Sequence, residues 1–173
     1  MTQRKPITFL ASTAVAAAAA LAVAACGSGG GGSTSTATSK PATGGTMTVS
    51  VAKTGLGQVL VDAQGRTLYL FKKDSGTKSA CVGACAAAWP PLRSAGKPTA
   101  GSGASASEVA TTARSDGKPE VTYNGHPLYL FTGDKQPGDT NGQGVSAFGG
   151  GWFALSPAGN EVSGPAQSTS NGY

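Results

Sequence analysis

The stretch LYLF at residues 68–71, followed by Asp74, decides the fold because the chain contains it twice. The same four letters return at residues 128–131, followed by Asp134, sixty positions further on. Superposed without a gap, residues 49–74 and 109–134 agree at nine of twenty-six positions. Besides the motif itself, the matching pairs are Val49/Val109, Gly57/Gly117, Val61/Val121 and Gly65/Gly125. The sequence therefore contains an internal duplication.

The residues before each motif copy have the pattern of β-strands. Met47, Val49 and Val51 alternate with small polar residues, as in a strand with one buried face. Turns that contain glycine separate this strand from two further short apolar runs, and the second copy repeats the plan with Asn124-Gly125 as a strong hairpin signal. The expected strands are 46–51, 59–61 and 67–71, then 109–113, 120–123 and 127–131, and after a glycine-rich loop 152–155. We predict a mainly β protein in which two homologous antiparallel meanders pack together.

Both faces of the repeated strand carry bulky side chains. Strand alternation puts Leu68 and Leu70 on one face, and Tyr69 and Phe71 on the other. A lone three-stranded half would leave one of these faces in water, and two copies avoid this by packing about a pseudo-twofold axis. The predicted core leucines are Leu68, Leu70, Leu128 and Leu130.

The N-terminal region has the pattern of an export signal. Arg4 and Lys5 precede an uncharged, alanine-rich run that ends in VAAC at residues 23–26. A branched apolar residue three positions before a cysteine resembles the bacterial lipobox, in which Cys26 is lipidated and becomes the mature N-terminus. The alternative is an ordinary signal peptide with an incidental cysteine. We expect a lipid anchor on the extracytoplasmic face of the cell membrane.

Composition divides the rest of the chain into segments. An alanine-rich run at residues 79–89 is the one helix expected after the signal, and it ends at two prolines. The predicted plan is a signal peptide at 1–25, Cys26 with a flexible Gly/Ser/Thr tether at 26–45, a first repeat at 46–92, an exposed linker at 93–107, a second repeat at 108–163, and a disordered tail at 164–173.

The charge balance does not indicate a nucleic-acid partner. The chain has 13 Lys and Arg residues against 8 Asp and Glu residues, and loss of residues 1–25 would leave eleven against eight. The basic residues are scattered, with only Lys72 and Lys73 adjacent, so no basic stripe follows a phosphate backbone.

The repeated tyrosine and aspartate are the first candidates for a functional role. Asp74 and Asp134 follow strand ends, where an aspartate commonly accepts backbone N–H groups and stabilises a turn. The interpretation we favour is that these aspartates stabilise turns while Tyr69 and Tyr129 pack inside. The alternative is a symmetric binding cleft, built from both Tyr-Asp pairs across the pseudo-twofold axis.

The sequence offers little for catalysis. His126 is the one histidine, it lies at a predicted hairpin tip, and no hydrolase, metalloprotease or phosphate-loop motif is present. Asp139 and Asn141 resemble the start of a calcium loop, but glycine stands at position 150, where the closing acid would be. We therefore expect no enzymatic activity.

Cys81 and Cys85 allow two different predictions. Four residues apart on a helix, their Cα atoms would lie within about 6 Å, and an exported protein permits disulfides. We predict a Cys81–Cys85 disulfide and no cofactor. The alternative is a copper site, in which two thiolates and the imidazole of His126 bind the ion.

Taken together, these motifs resemble a known family. The two Tyr-x4-Asp motifs, the lipobox, the Cys-x3-Cys element and Trp89-Pro90 are similar to those of bacterial lipoproteins built from a tandem secreted repeat of unknown function. The resemblance covers residues 46–163, although Cys-x3-Cys occurs only in the first repeat. It implies an envelope location and a β-rich structure, and it names no reaction. We expect a non-catalytic binding or structural module of unknown ligand; the alternative is an extracytoplasmic copper or electron-transfer protein.

Overall fold

The computed structural model describes residues 46–164 of the chain. The predicted signal peptide, the lipidated Cys26 with its tether, and all of the predicted tail except Gly164 lie outside the described residues. Within residues 46–164, no helix is long and apolar enough to cross a membrane.

The regular structure of the described chain is nine short strands and one short helix, which confirms the mainly β prediction. The elements are β1 Thr48–Thr54, β2 Gly57–Val61, β3 Tyr69–Phe71, α1 Ala84–Ala88, β4 Thr99–Ala100, β5 Val109–Ala113, β6 Pro119–Tyr123, β7 His126–Pro127, β8 Ser146–Ala147 and β9 Gly150–Ala154. The helix is shorter than the predicted 79–89 because Gly83, with φ of 57°, has a left-handed conformation that cannot continue a helix.

Three small sheets organise these strands. Their strand orders are β2-β1-β4, β3-β9-β8 and β5-β6-β7. The first two strands of each predicted meander pair as antiparallel hairpins, β1 with β2 and β5 with β6. The third strand differs from a simple meander, because β3 pairs along its length with β9 of the other repeat.

The segments that contain Trp89 and Trp152 are exchanged between the repeats, so that each pairs with the motif strand of the other repeat. Lys72 N–H donates to Gly151 O at 2.9 Å, and Thr132 N–H donates to Ala88 O at 3.1 Å. Each repeat's motif strand therefore pairs with the segment that ends the other repeat: 150–155 in one half and 88–92 in the other. The two repeats pack together as predicted, and they do so by interlocking.

A closed ring of three backbone hydrogen bonds marks this exchange in each half. Leu60 N–H donates to Leu155 O, Leu155 N–H to Leu68 O, and Leu68 N–H to Leu60 O, at 2.8, 3.3 and 2.9 Å. The second ring has the same order, with bonds of 2.7, 2.8 and 3.0 Å, and joins Val121, Leu92 and Leu128. Two members of each ring come from one repeat and the third from the other.

These rings correct part of the gapless superposition. Leu68 corresponds to Leu128, sixty residues on, but the partner of Leu68 is Leu60 and the partner of Leu128 is Val121, sixty-one residues on. Leu60 and Val121 pack in the same core cluster, whereas Val61 packs in the other one. The pairing of Val61 with Val121 is therefore wrong by one residue, which in a strand exchanges the two faces.

Two core clusters occupy the two faces of the motif strands, as the alternation predicted. One cluster is aliphatic and contains the buried Leu68, Leu70 and Leu128, with the half-buried Leu130 packed against it. The other is aromatic and contains Tyr69, Phe71 and Tyr129, and its remaining buried members are Val59, Val61, Cys81, Cys85, Trp89, Trp152 and Ala154.

The segment predicted as an exposed linker, 93–107, is partly incorporated into the fold. Thr99 and Ala100 form β4, which pairs in parallel with Thr48 and Val49 of β1. Ser94 and Pro98 are buried. The prediction of an exposed linker is therefore wrong for this part, because small residues here cover a strand edge that would otherwise lack backbone partners.

Candidate functional site at the junction of the repeats

The two motif tyrosines meet on the pseudo-twofold axis. Tyr69 N–H donates to Tyr129 O, and Tyr129 N–H donates to Tyr69 O, both at 2.9 Å. Two antiparallel strands that exchange both bonds form a reciprocal pair. The duplicated motifs are therefore in direct backbone contact.

The motif side chains are also exchanged between the repeats. The Tyr69 hydroxyl donates to Asp134 Oδ2, and the Tyr129 hydroxyl donates to Asp74 Oδ2, both at 2.8 Å. Both tyrosines are fully buried. The tyrosine and aspartate of one repeat thus do not bind each other, and each finds its partner in the other copy.

Each aspartate uses its second oxygen to hold the loop that follows it. Asp74 Oδ1 accepts the N–H of Ala80 at 2.7 Å, and Asp134 Oδ1 accepts the N–H of Asn141 at 2.9 Å. Each aspartate carboxylate therefore joins the loop that follows it to the tyrosine of the opposite repeat. Among residues 46–164 both tyrosines are wholly enclosed, so they do not line an open cleft of the kind that the alternative interpretation requires.

Burial sets the protonation of these pairs. Burial, followed by the charge of Asp134, raises the pKa of Tyr69 far above its usual range. The pKa of Tyr129 is raised in the same way by burial and by the charges of Glu120 and Asp74. Burial also raises the pKa of Asp74 and of Asp134, against the hydrogen bonds that they accept. Both tyrosines therefore act as neutral donors to carboxylates.

An aromatic column stands beside the tyrosines. Trp89 and Trp152 stack with ring centroids 4.0 Å apart and planes inclined by 6°. Phe71 stacks on Trp152 at 4.1 Å, and Phe131 stacks on Trp89 at 4.2 Å. The column passes from one repeat to the other at each end, so it joins the halves through dispersion and burial.

A buried ion pair breaks the symmetry in the second repeat. Arg114 Nη1 donates to Glu120 Oε2 at 2.8 Å, and both side chains are almost completely enclosed. Arg114 also donates to the carbonyl of Cys81 and to Ser79 Oγ. With the one-residue correction, the counterpart of Glu120 in the first repeat is Val59. Sequence reasoning missed this pair, because strand alternation alone does not show that an acidic side chain is buried.

Ser79 connects the ion pair to a motif tyrosine. Ser79 Oγ lies 2.6 Å from the hydroxyl of Tyr129. A phenol has one proton, which Tyr129 gives to Asp74, so the serine hydroxyl donates to Tyr129 and accepts from Arg114. A continuous hydrogen-bonded chain therefore runs from Glu120 to Asp74 in this half of the molecule.

Glu120 has an unusual protonation equilibrium. Burial raises its pKa to about 7, although the hydrogen bond and charge of Arg114 oppose the shift. Among the described residues, Glu120 Oε1 and Arg114 Nε have no hydrogen-bond partner. Incomplete pairing of a buried charge is costly, so this carboxyl accepts a proton more readily than an exposed one.

The two cysteines are joined in a disulfide, with their Cα atoms 5.2 Å apart. A disulfide presents no thiolate to a metal ion. His126 instead borders a cavity of about 260 Å³ with Asp74 and Glu161. Within residues 46–164, no three His, Cys, Asp or Glu side chains are grouped to hold a metal. The residues of the copper alternative are thus not brought together as ligands.

Asp139, from the incomplete calcium loop, has a local role. Its Oδ2 accepts the N–H groups of Lys135 and Gln136 at 2.8 and 2.9 Å, and these bonds lower its pKa. Its carbonyl accepts the hydroxyl of Thr67 at 2.6 Å. These bonds hold residues 135–139 against the first repeat.

Comparison with known proteins gives one match. A family model described as a secreted repeat of unknown function matches residues 50–93 and again residues 110–156. No curated protein and no solved structure matches this chain.

Proposed function

Because this chain belongs to the family of secreted repeats of unknown function, we propose that it is a lipid-anchored protein of the cell envelope. In this proposal Cys26 carries the lipid, and residues 27–45 connect it to the folded part. The two repeats together form one non-catalytic module with a structural or binding role.

The exchange of tyrosine and aspartate between the repeats carries this proposal. Tyr69 binds Asp134, and Tyr129 binds Asp74, so the residues that define the motif are fully used in joining the two halves. Catalytic groups need access to a substrate, whereas both tyrosine side chains are enclosed. The motif therefore supports a role in assembling the module, and any ligand would bind elsewhere on its surface.

A double-mutant cycle tests this role of the motif. Tyr69→Phe and Asp134→Ala, alone and combined, should show a coupling of about 1–3 kcal/mol in the free energy of unfolding, because each removes the same charged hydrogen bond. Urea denaturation of the four proteins gives the value.

The control cycle pairs Tyr69→Phe with Asp74→Ala. These residues belong to the same motif copy but share no hydrogen bond, so their effects should add within about 0.5 kcal/mol. Coupling in the control cycle, with none between Tyr69 and Asp134, would contradict the exchanged arrangement and return the motif to a local role.

The anchor has a separate test. Cys26→Ala removes the lipid attachment point, and the predicted lipobox cannot be processed without the cysteine. We expect the unaltered protein in the membrane fraction and the variant in the soluble fraction. Cys81→Ser serves as the control, because it removes a cysteine that lies outside the lipobox. A Cys26→Ala protein that stays with membranes would rule out the lipid anchor.

A further inference from the structure

Strand β5 has one edge without a neighbour in the described chain. Arg114 N–H donates to Lys118 O, and Asn124 N–H donates to Glu108 O, at 3.1 and 3.0 Å. Antiparallel pairing alternates, so even-numbered residues of β5 bond to β6 while the backbone groups of Val109, Thr111 and Ala113 point outward. Within residues 46–164, no backbone partner meets these outward groups.

The corresponding edge of β1 is filled. Thr99 N–H donates to Met47 O, Gly101 N–H donates to Val49 O, and Val51 N–H donates to Ser102 O, at 2.9, 2.7 and 2.9 Å. Sixty residues further on, the equivalent positions are 107, 109 and 111. The molecule therefore contains the same strand edge twice, once with an added parallel segment and once without.

The path of the chain explains this difference. After Leu92 the first repeat continues to β4 and covers β1. After Leu155 the second repeat turns back on itself, with Ser156 N–H donating to Asn160 O and Val162 N–H to Ala154 O, both at 2.8 Å. The residues after Leu155, which correspond to the segment that covers β1, form this turn and do not cover β5.

A groove runs beside the open edge. It has a volume of about 530 Å³ and is bordered by residues 94–98, residues 109–111 and Pro119. Strand β5 has the sequence VATTA, with no charge and no proline. Proteins usually protect an exposed edge with lysine, proline or a bulge, so an unprotected edge is suited to accept another strand.

We propose that this edge binds an extended, uncharged segment of a partner polypeptide, rich in small residues, as an added parallel strand. The filled edge indicates the chemistry, since the sequence there is TAGSG at residues 99–103. A side chain at Gly101 would collide with Ser50. Lys97 is the one charged residue among the described residues that border the groove, so it would repel a basic segment and would give an acidic segment a single partner. This inference rests on the proposed binding role of the module.

A peptide that copies residues 98–104, PTAGSGA with blocked ends, is the probe. Hydrogen exchange of the mature protein, followed by NMR, should show the Thr111 amide exchanging at least tenfold more slowly with saturating peptide. The amide of Thr112, already bonded to β6, should not change. The same peptide N-methylated at its first glycine lacks one donor and should give no protection.

Thr111→Pro removes the outward N–H and leaves the bonds of Ala110 and Thr112 to β6 in place, so it should abolish peptide binding. Its unfolding transition shows whether it is folded. If it is not, the N-methylated peptide still tests the added strand through the neighbouring bond, from the first peptide glycine to Val109 O. No change at Thr111 with millimolar peptide would overturn the proposal.

Two further outcomes would also overturn it. Protection of Thr111 without peptide at every protein concentration would mean that the chain covers its own edge. Protection that appears only at high protein concentration would mean that a second copy does so. The readout is independent of the lipid anchor and of the Tyr-Asp exchange, so a failure here leaves both tests of the proposed function intact.

Discussion

Glu120 and Arg114 form the most deeply buried ion pair in the described chain. The counterpart of Glu120 in the first repeat is Val59, which packs in the aromatic cluster without any polar requirement. A buried ion pair costs desolvation that its attraction only partly offsets. The pair nevertheless holds the disulfide loop through Ser79 and the carbonyl of Cys81. The ion pair thus holds the disulfide loop in place, while its burial disfavours the ionised form of Glu120.

The stability of the protein should therefore decrease as pH rises. The pKa of Glu120 is about 7 in the folded chain and near 4.5 in the unfolded chain, so folding takes up a proton between these values. The stabilisation is present in full below pH 4.5 and is lost as the pH rises through 7, about 3 kcal/mol in all. Urea denaturation from pH 4.5 to 8 measures the slope.

Glu120→Gln is the control for this slope. Glutamine keeps the shape of the neutral acid and does not titrate, so the decrease between pH 5 and 7 should flatten. Asp74 and Asp134 also have raised pKa values, but they titrate in both proteins and cancel in the comparison. Equal slopes in the two proteins would show that Glu120 stays ionised.

At the scale of elements, the two loops after the motif aspartates differ most between the repeats. Residues 75–88 contain the disulfide and the helix α1, whereas residues 135–149, of nearly equal length, are rich in glycine and contain β8. Both return to a tryptophan segment that crosses to the opposite repeat. In the first loop the disulfide and the bonds from Arg114 restrict the chain before Trp89 enters the aromatic column.

Replacing both cysteines should have a modest effect. The bridge closes a loop of five residues, for which chain entropy predicts about 2 kcal/mol. Cys81→Ser with Cys85→Ser should lower the midpoint of urea denaturation, while the β-sheet signal in circular dichroism stays unchanged. His126→Ala, at the first residue of β7 and outside the disulfide loop, should be nearly silent.

Thiol counting on the denatured, non-reduced protein separates the disulfide from the copper alternative. We expect no free thiol from Cys81 or Cys85. Two free thiols in air, with stoichiometric copper uptake that falls at least tenfold in His126→Ala, would support the copper site instead.

At the scale of the molecule, the exchange makes the two repeats interdependent. Each ring of three backbone bonds takes one member from the other repeat, and each tryptophan stacks on a phenylalanine from the other repeat. A single repeat would leave these backbone groups unpaired and its aromatic residues exposed. The duplication is thus one folding unit with two similar halves.

Fragments 46–107 and 108–164 should therefore fail to fold separately as monomers. Each alone should lack a cooperative thermal transition and near-ultraviolet circular dichroism, and an equimolar mixture should recover both. The intact chain is the control. A sharp transition from a single monomeric fragment would contradict the interdependence of the repeats.

Some of this structure could be read from the sequence because it depends on neighbours in the chain. Strand alternation predicted that Leu68 and Tyr69 lie on opposite faces, and two core clusters confirm it. The spacing of Cys81 and Cys85 predicted the disulfide. The sixty-residue repeat predicted two similar halves packed together. Each of these follows from local geometry or from self-similarity.

The sequence by itself thus determined the strands of the two hairpins, the duplication and the resemblance to the family. Only the tertiary structure decided which copy supplies each partner, since the motif does not indicate whether Tyr69 binds Asp74 or Asp134. It also placed Glu120 inside and left β5 without the cover that β1 has. The burial of Glu120 depends on the one-residue shift of β6, and the uncovered edge of β5 depends on the turn after Leu155. Both are set by long-range packing and backbone pairing, in which local preferences are only one term.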